Sequence, residues 1–130
     1  MDKKILVVDD DPELLKLVAL RLKVNGYKLI TAGNGCDGLK KAELETPDLI
    51  ILDIKMAQMD GYTMLRKLKS EPSTSNIPIV VLTSYDQMKD LFEMEGISDY
   101  ILKPFDEQDF LLRISRAMQN KNTEDTNSAS

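Results

Sequence analysis

Six polar groups stand where short apolar runs stop. Asp9 and Asp10 follow Ile5–Val8, Asp53 follows Leu49–Leu52, Thr83 and Ser84 close the run begun at Ile79, and Lys103 follows Tyr100–Leu102. If those runs are strands of one parallel sheet, all these groups reach its carboxyl edge, where open α/β sheets bind ligands. Carboxylates gathered there repel each other. At about 4 Å and an effective dielectric near 20, each pair of unit charges costs about 4 kcal/mol. One ammonium, Lys103, against three carboxylates leaves two negative charges in excess, which a hard divalent cation such as Mg²⁺ neutralises with oxygen ligands.

The elements that must position these groups are legible in outline. Ile5–Val8, Leu49–Leu52 and Ile79–Leu82 are continuous rather than alternating apolar runs, the pattern of strands buried on both faces. Tyr27–Thr31 and Tyr100–Leu102 are weaker strand segments. Between them lie helical patterns. Pro12 opens the first, with Asp11 as its cap, Leu14, Leu15, Val18 and Leu22 on one face, and Asn25-Gly26 at its end. A second helix is expected over Cys36–Leu44, before Pro47. The third begins near Asp60-Gly61 and buries Met64, Leu65 and Leu68, the fourth spans Gln87–Met94 with Met88, Leu91 and Phe92, and Asp106 caps a fifth that buries Phe110, Leu111, Ile114, Ala117 and Met118. Strictly alternating strands and helices predict an α/β fold with a parallel sheet between two helix layers and right-handed crossovers.

Composition narrows the function classes. The 130 residues include 17 Lys and Arg against 22 Asp and Glu, a net charge of −5, with 42% hydrophobic residues. No basic block with interleaved aromatics is visible, so a nucleic-acid surface is not expected. No apolar run approaches the ~20 residues that cross a bilayer, and the N-terminus does not read as a secretory signal, so a cytoplasmic location is expected. The chain has no histidine. That removes Ser-His-Asp and Cys-His nucleophile systems, histidine bases and most zinc sites. The single cysteine, Cys36, cannot pair within the chain, and the methionines read as adaptable core and partner surface. Domain boundaries are expected at 1–120 for one folded unit and 121–130 for a disordered polar tail.

Val8-Asp9-Asp10, Leu52-Asp53 with Met59-Asp60-Gly61, Leu82-Thr83-Ser84 and Tyr100-Ile101-Leu102-Lys103-Pro104-Phe105 together resemble the receiver domain of bacterial two-component response regulators. Any one of these is weak, but Thr83 and Lys103 lie 30 and 50 residues beyond Asp53, and the order is kept over nearly the whole chain. The resemblance implies a flavodoxin-like, doubly wound five-stranded parallel sheet of order 2-1-3-4-5 with five helices. It implies that Asp53 is the phosphoacceptor, attacking a phosphohistidine. It implies that Asp10, Asp53 and the backbone carbonyl of Lys55 hold Mg²⁺, with Asp9 acting through water. Lys103 would clamp a phosphoryl oxygen from a cis Lys103-Pro104 peptide, Thr83 would swing its hydroxyl to another, and Tyr100 would turn inward behind it.

The expected function is a single-domain phosphorylation switch, chemotaxis-regulator-like, taking phosphate from a sensor histidine kinase or histidine phosphotransfer protein and signalling to a downstream protein target. It would use no nucleic acid, insert in no membrane, and catalyse only its own phosphotransfer and dephosphorylation rather than turn over a substrate. Dimerisation on phosphorylation stays open. So do a relay role, passing phosphate to a histidine phosphotransfer partner, an excised receiver from a larger protein, and a pseudo-receiver scaffold. Three features depart from the family pattern: Ala57 where a proline is common, Lys55 beside the site, and a Thr83–Tyr100 segment about two residues short, which leaves two alternatives for the fourth helix, a late start or a first turn that is loop.

Overall fold

The computed structural model describes residues 2–56 and 59–129, with side chains through residue 119. The order of elements is β1 (Lys4–Val8), α1 (Pro12–Val24), β2 (Lys28–Ala32), α2 (Gly35–Glu45), β3 (Leu49–Leu52), α3 (Gly61–Ser70), β4 (Ile79–Thr83), α4 (Lys89–Met94), β5 (Asp99–Leu102) and α5 (Glu107–Ala129). All neighbours pair in parallel, and the sheet order is β2-β1-β3-β4-β5.

The continuous apolar runs are explained by burial on both faces. Along β1, β3 and β4, alternate residues enter two separate cores. Leu6, Val8, Ile50, Leu52, Ile79 and Val81 pack with Ala42 of α2, Met64, Leu65 and Leu68 of α3 and Phe92 of α4. Ile5, Val7, Leu49, Ile51, Val80 and Leu82 pack with Val18 and Leu22 of α1 and with Phe110, Ile114 and Ala117 of α5. Each face of a half-polar strand would have exposed one of these sets to water at about 25 cal/mol per Å² of apolar surface.

Short polar side chains set the helix starts. Asp11 accepts from the amides of Glu13 and Leu14 ahead of Pro12, Asn34 accepts from Asp37, Asp60 from Thr63 and Asp106 from Asp109. Three boundaries differ from the sequence expectation. β2 runs over Lys28–Ala32 rather than Tyr27–Thr31, because it continues the register of Lys4–Val8. The α2 helix extends one residue beyond each expected end. The α4 helix starts at Lys89 and not at Gln87, so its first expected turn is loop, and Leu91, expected in the core, is exposed. The α5 backbone continues to Ala129. The tail expected over 121–130 lies where side chains are outside the described residues, and Ala57 lies outside them altogether.

Because β1 sits between β2 and β3, the chain leaves β1 toward one edge and returns to build toward the other. A crevice opens at the carboxyl ends of strands on either side of such a switch point. Here those strands are β1 and β3.

Candidate functional site

Asp9 and Asp53 extend the two strands that flank the switch point. The Asp9 amide donates to the Ala32 carbonyl and the Asp53 amide to the Val8 carbonyl, both at 3.1 Å, so each residue is still held by the sheet ladder while its side chain enters the crevice. Both are nearly buried, at 4% and 9% exposure, whereas Asp10 is exposed. One carboxylate oxygen from each of Asp9, Asp10 and Asp53 lies within 4.8 Å of the others.

Lys103 arrives from the end of β5. Its amide donates to the Thr83 carbonyl at 2.8 Å, continuing the β4–β5 pairing, and the Lys103-Pro104 peptide is cis. Its ammonium lies 3.0 Å from Asp9 Oδ2 and 3.5 Å from Asp53 Oδ2. The remaining oxygens are also occupied: Asp9 Oδ1 accepts from the Asp11 amide at 3.0 Å and Asp53 Oδ1 from the Ile54 amide at 2.8 Å. Burial pushes the Asp9 carboxyl above its ordinary range, against the lowering pull of the Asp11 amide and the Lys103 ammonium.

The hard oxygen donors and the charge imbalance fit a small dication. Three carboxylates converge on one point, and a single ammonium leaves them under-neutralised.

Thr83 and Tyr100 are joined to each other through Tyr85. Thr83 is fully buried and its Oγ1 accepts from the Tyr85 amide at 3.3 Å. Tyr100 is buried, its hydroxyl donates to the Tyr85 carbonyl, and burial raises its pKa. The tyrosine expected to turn inward is therefore already inward in this structure. Lys55, two residues beyond Asp53, is exposed, and its ammonium lies 5.6 Å from the centre of the Tyr85 ring.

Sequence reasoning missed one residue that shapes the site. Tyr85 meets Thr83, Tyr100 and Lys55, yet its only sequence signal is its place two residues past Thr83. Gly61 donates its amide to the Ile54 carbonyl at 2.7 Å, and a Cβ there would collide with the Asp53 carbonyl oxygen and stand 2.7 Å from Ile54 Cα. That close approach explains why a glycine opens α3 after the Met59-Asp60 turn.

Comparison with known proteins agrees with this geometry. A family model for the response regulator receiver domain matches residues 5–115. PilH of Pseudomonas aeruginosa is 37% identical over 118 residues, which cover 88% of this chain and 97% of PilH. RpaA of Synechocystis, a DNA-binding transcriptional regulator, is 36% identical over 113 residues; there the chain spans only 47% of the relative's length. A CheY-like receiver domain protein of Methanospirillum hungatei superposes with a TM-score of 0.88 at 29% identity, covering 95% of this chain and 99% of that one. Among the described residues, no helix is long and apolar enough to cross a membrane.

Proposed function

The chain belongs to the response regulator receiver family, and from that premise we propose that its switch is thrown by transfer of a phosphoryl group to Asp53. The observation that carries this reading is the convergence of Asp9, Asp10 and Asp53 on one point, with the Lys103 ammonium bridging two of them. An Asp53 oxygen attacks the phosphorus of a phosphohistidine on a partner; the O–P bond forms, the N–P bond breaks, and the imidazole leaves with the electron pair and takes up a proton. Lys103 leaves its bridging position to pair with a phosphoryl oxygen, and the Thr83 hydroxyl leaves the Tyr85 amide to donate to another.

Asp10, Asp53 and the Lys55 carbonyl would hold Mg²⁺, with Asp9 acting through water; when bound, the dication cancels the excess negative charge and polarises the phosphoryl group. The new group adds about −1.5 to −2 of charge at neutral pH, enough to draw Thr83 and Lys103 inward and bias the surface beyond them.

The donor is a sensor histidine kinase or a histidine phosphotransfer protein, and the signal passes to a protein target through the surface around α4, β5 and α5. The reaction is a self-catalysed transfer and hydrolysis, not turnover of a free substrate, in the cytoplasm. Intact-mass measurement after incubation with Mg²⁺ and acetyl phosphate tests the proposal. One added phosphoryl group is expected in the wild type and none in Asp53→Asn or without Mg²⁺; labelling that survives Asp53→Asn would overturn it.

A further inference from the structure

The first turn of α2 lies against the loop that follows Asp53. Asn34 caps that turn, its side chain accepting from the Asp37 amide at 2.8 Å, and Gly35 and Gly38 within it are buried. A Cβ on Gly35 would collide with the Met59 carbonyl oxygen and stand 2.8 Å from Met59 Cβ and 3.1 Å from the Met59 carbonyl carbon. Backbone cannot yield to a methyl group as a side-chain end can, so the contact requires a residue without one. A Cβ on Gly38 would instead meet side-chain ends, Val8 Cγ1 and Cγ2 at 2.9 Å and Met64 Cε at 3.0 Å. Gly33, just before the helix, is exposed, and a Cβ there would meet nothing within 4 Å. Neighbouring glycines thus differ in what a methyl group would strike: loop backbone at 35, core side chains at 38, open space at 33.

The loop is also seated from within. Met59 packs against the core cluster that contains Ile54 and Met56, and the exposed Lys55 lies between those two in the chain. The Gly61 amide closes the loop on the Ile54 carbonyl at 2.7 Å. Met59 is therefore gripped on two sides, by the core on its side chain and by Gly35 on its backbone. The helix cannot back away from it, because Ala42, further along α2, is packed in the same cluster. A loop held in one conformation before a ligand arrives loses less entropy on binding than one that must first be ordered. We infer that Gly35 is a positioning residue for Mg²⁺: by letting α2 bear directly on Met59, it holds in place the loop that carries the Lys55 carbonyl. The effect on Mg²⁺ rests on the reading of that carbonyl as a metal ligand; the grip on the loop does not.

Three measurements on the full chain test both: urea unfolding for global stability, hydrogen exchange of the Gly61 amide in metal-free protein, and Mg²⁺ titration. In Gly35→Ala the Gly61 amide should exchange about fivefold faster than the fall in global stability accounts for, and Mg²⁺ should bind about fivefold more weakly. Gly38→Ala should lose stability with neither effect, and Gly33→Ala should match the wild type throughout. Met59→Ala adds no atom and loosens the same grip from the core side, so it keeps the test open if Gly35→Ala does not fold; it too should speed the Gly61 amide and weaken Mg²⁺ binding. Gly61 exchange that follows global stability alone in folded Gly35→Ala, or in Met59→Ala where Gly35→Ala is unfolded, would overturn the grip. A loosened Gly61 amide with unchanged Mg²⁺ affinity, or an equal loss of affinity in Gly38→Ala, would overturn the positioning role. Absence of Mg²⁺ binding in the wild type would overturn the reading of the site as a metal centre instead, and the Gly61 amide would still decide the grip.

Discussion

The ammonium of Lys103 stands 3.0 Å from Oδ2 of Asp9, although 94 residues of chain separate them. The contact exists because the sheet order brings the ends of β1 and β5 to one edge, where burial leaves Asp9 in need of a partner. Lys103 and a bound dication answer the same excess of negative charge and therefore compete. Replacing Lys103 by Met should tighten Mg²⁺ binding by roughly tenfold while abolishing labelling by acetyl phosphate. A Mg²⁺ titration followed by tyrosine fluorescence reads the first effect and intact mass the second. Weaker Mg²⁺ binding in Lys103→Met would show that the amine organises the acids instead of competing for them.

Gly61 presses against the chain segment that presents Asp53. A methyl group at this position has no room against the Asp53 carbonyl and Ile54 Cα, so Gly61→Ala should cost about 1–3 kcal/mol in urea unfolding, the range for overpacking a filled site. It should also slow phosphorylation at saturating Mg²⁺, since the displaced backbone carries the proposed nucleophile. Unchanged stability together with an unchanged labelling rate would remove the claim that this approach positions Asp53.

Lys55 and Tyr85 reach toward each other from the loops that follow Asp53 and Thr83. If the pair shields the phosphorylated carboxyl from water, Lys55→Ala and Tyr85→Ala should each raise the dephosphorylation rate about threefold, and the double variant should go little further, since the two act as one unit. Additive effects in the double-mutant cycle would separate them. An unaltered rate in Lys55→Ala would leave the lysine without a part in the lifetime of the phosphorylated state.

Tyr27 gives the fold an alkaline dependence. Burial raises its hydroxyl above the ordinary 10.0, so its contribution to stability is fully present below the unfolded value and is lost as pH rises through the folded one. Tyr27→Phe should therefore flatten the alkaline limb of a stability-versus-pH curve measured by denaturant unfolding, with little change near neutrality. An identical alkaline limb in the variant would contradict this assignment.

The parts of the fold that could be read from sequence are those fixed by burial. β1, β3 and β4 have no polar alternation because both faces are covered, and their ends then locate Asp9, Asp10 and Asp53 by the switch-point rule. The α4 helix could not be delimited in this way. Its position is set by Phe92 and by the grip of Tyr62, Arg66 and Lys69 on Glu95 and Gly96, contacts between residues roughly thirty apart that leave no periodic trace. Leu91 sits at helical spacing for burial yet is exposed, because a helix of six residues presents a single anchor. The inward position of Tyr100 was equally hidden, since it depends on a carbonyl of Tyr85 and on the ring of Phe92, contacts that leave no periodic trace.

The proposed nucleophile is Asp53 alone, with the other converging acids holding charge. Borohydride reduction of protein labelled with acetyl phosphate and Mg²⁺ converts an aspartyl phosphate to homoserine, and peptide mass mapping then locates the converted residue. Homoserine at position 53 alone is expected; homoserine at position 9 or 10, or none anywhere, would rule Asp53 out as the sole nucleophile.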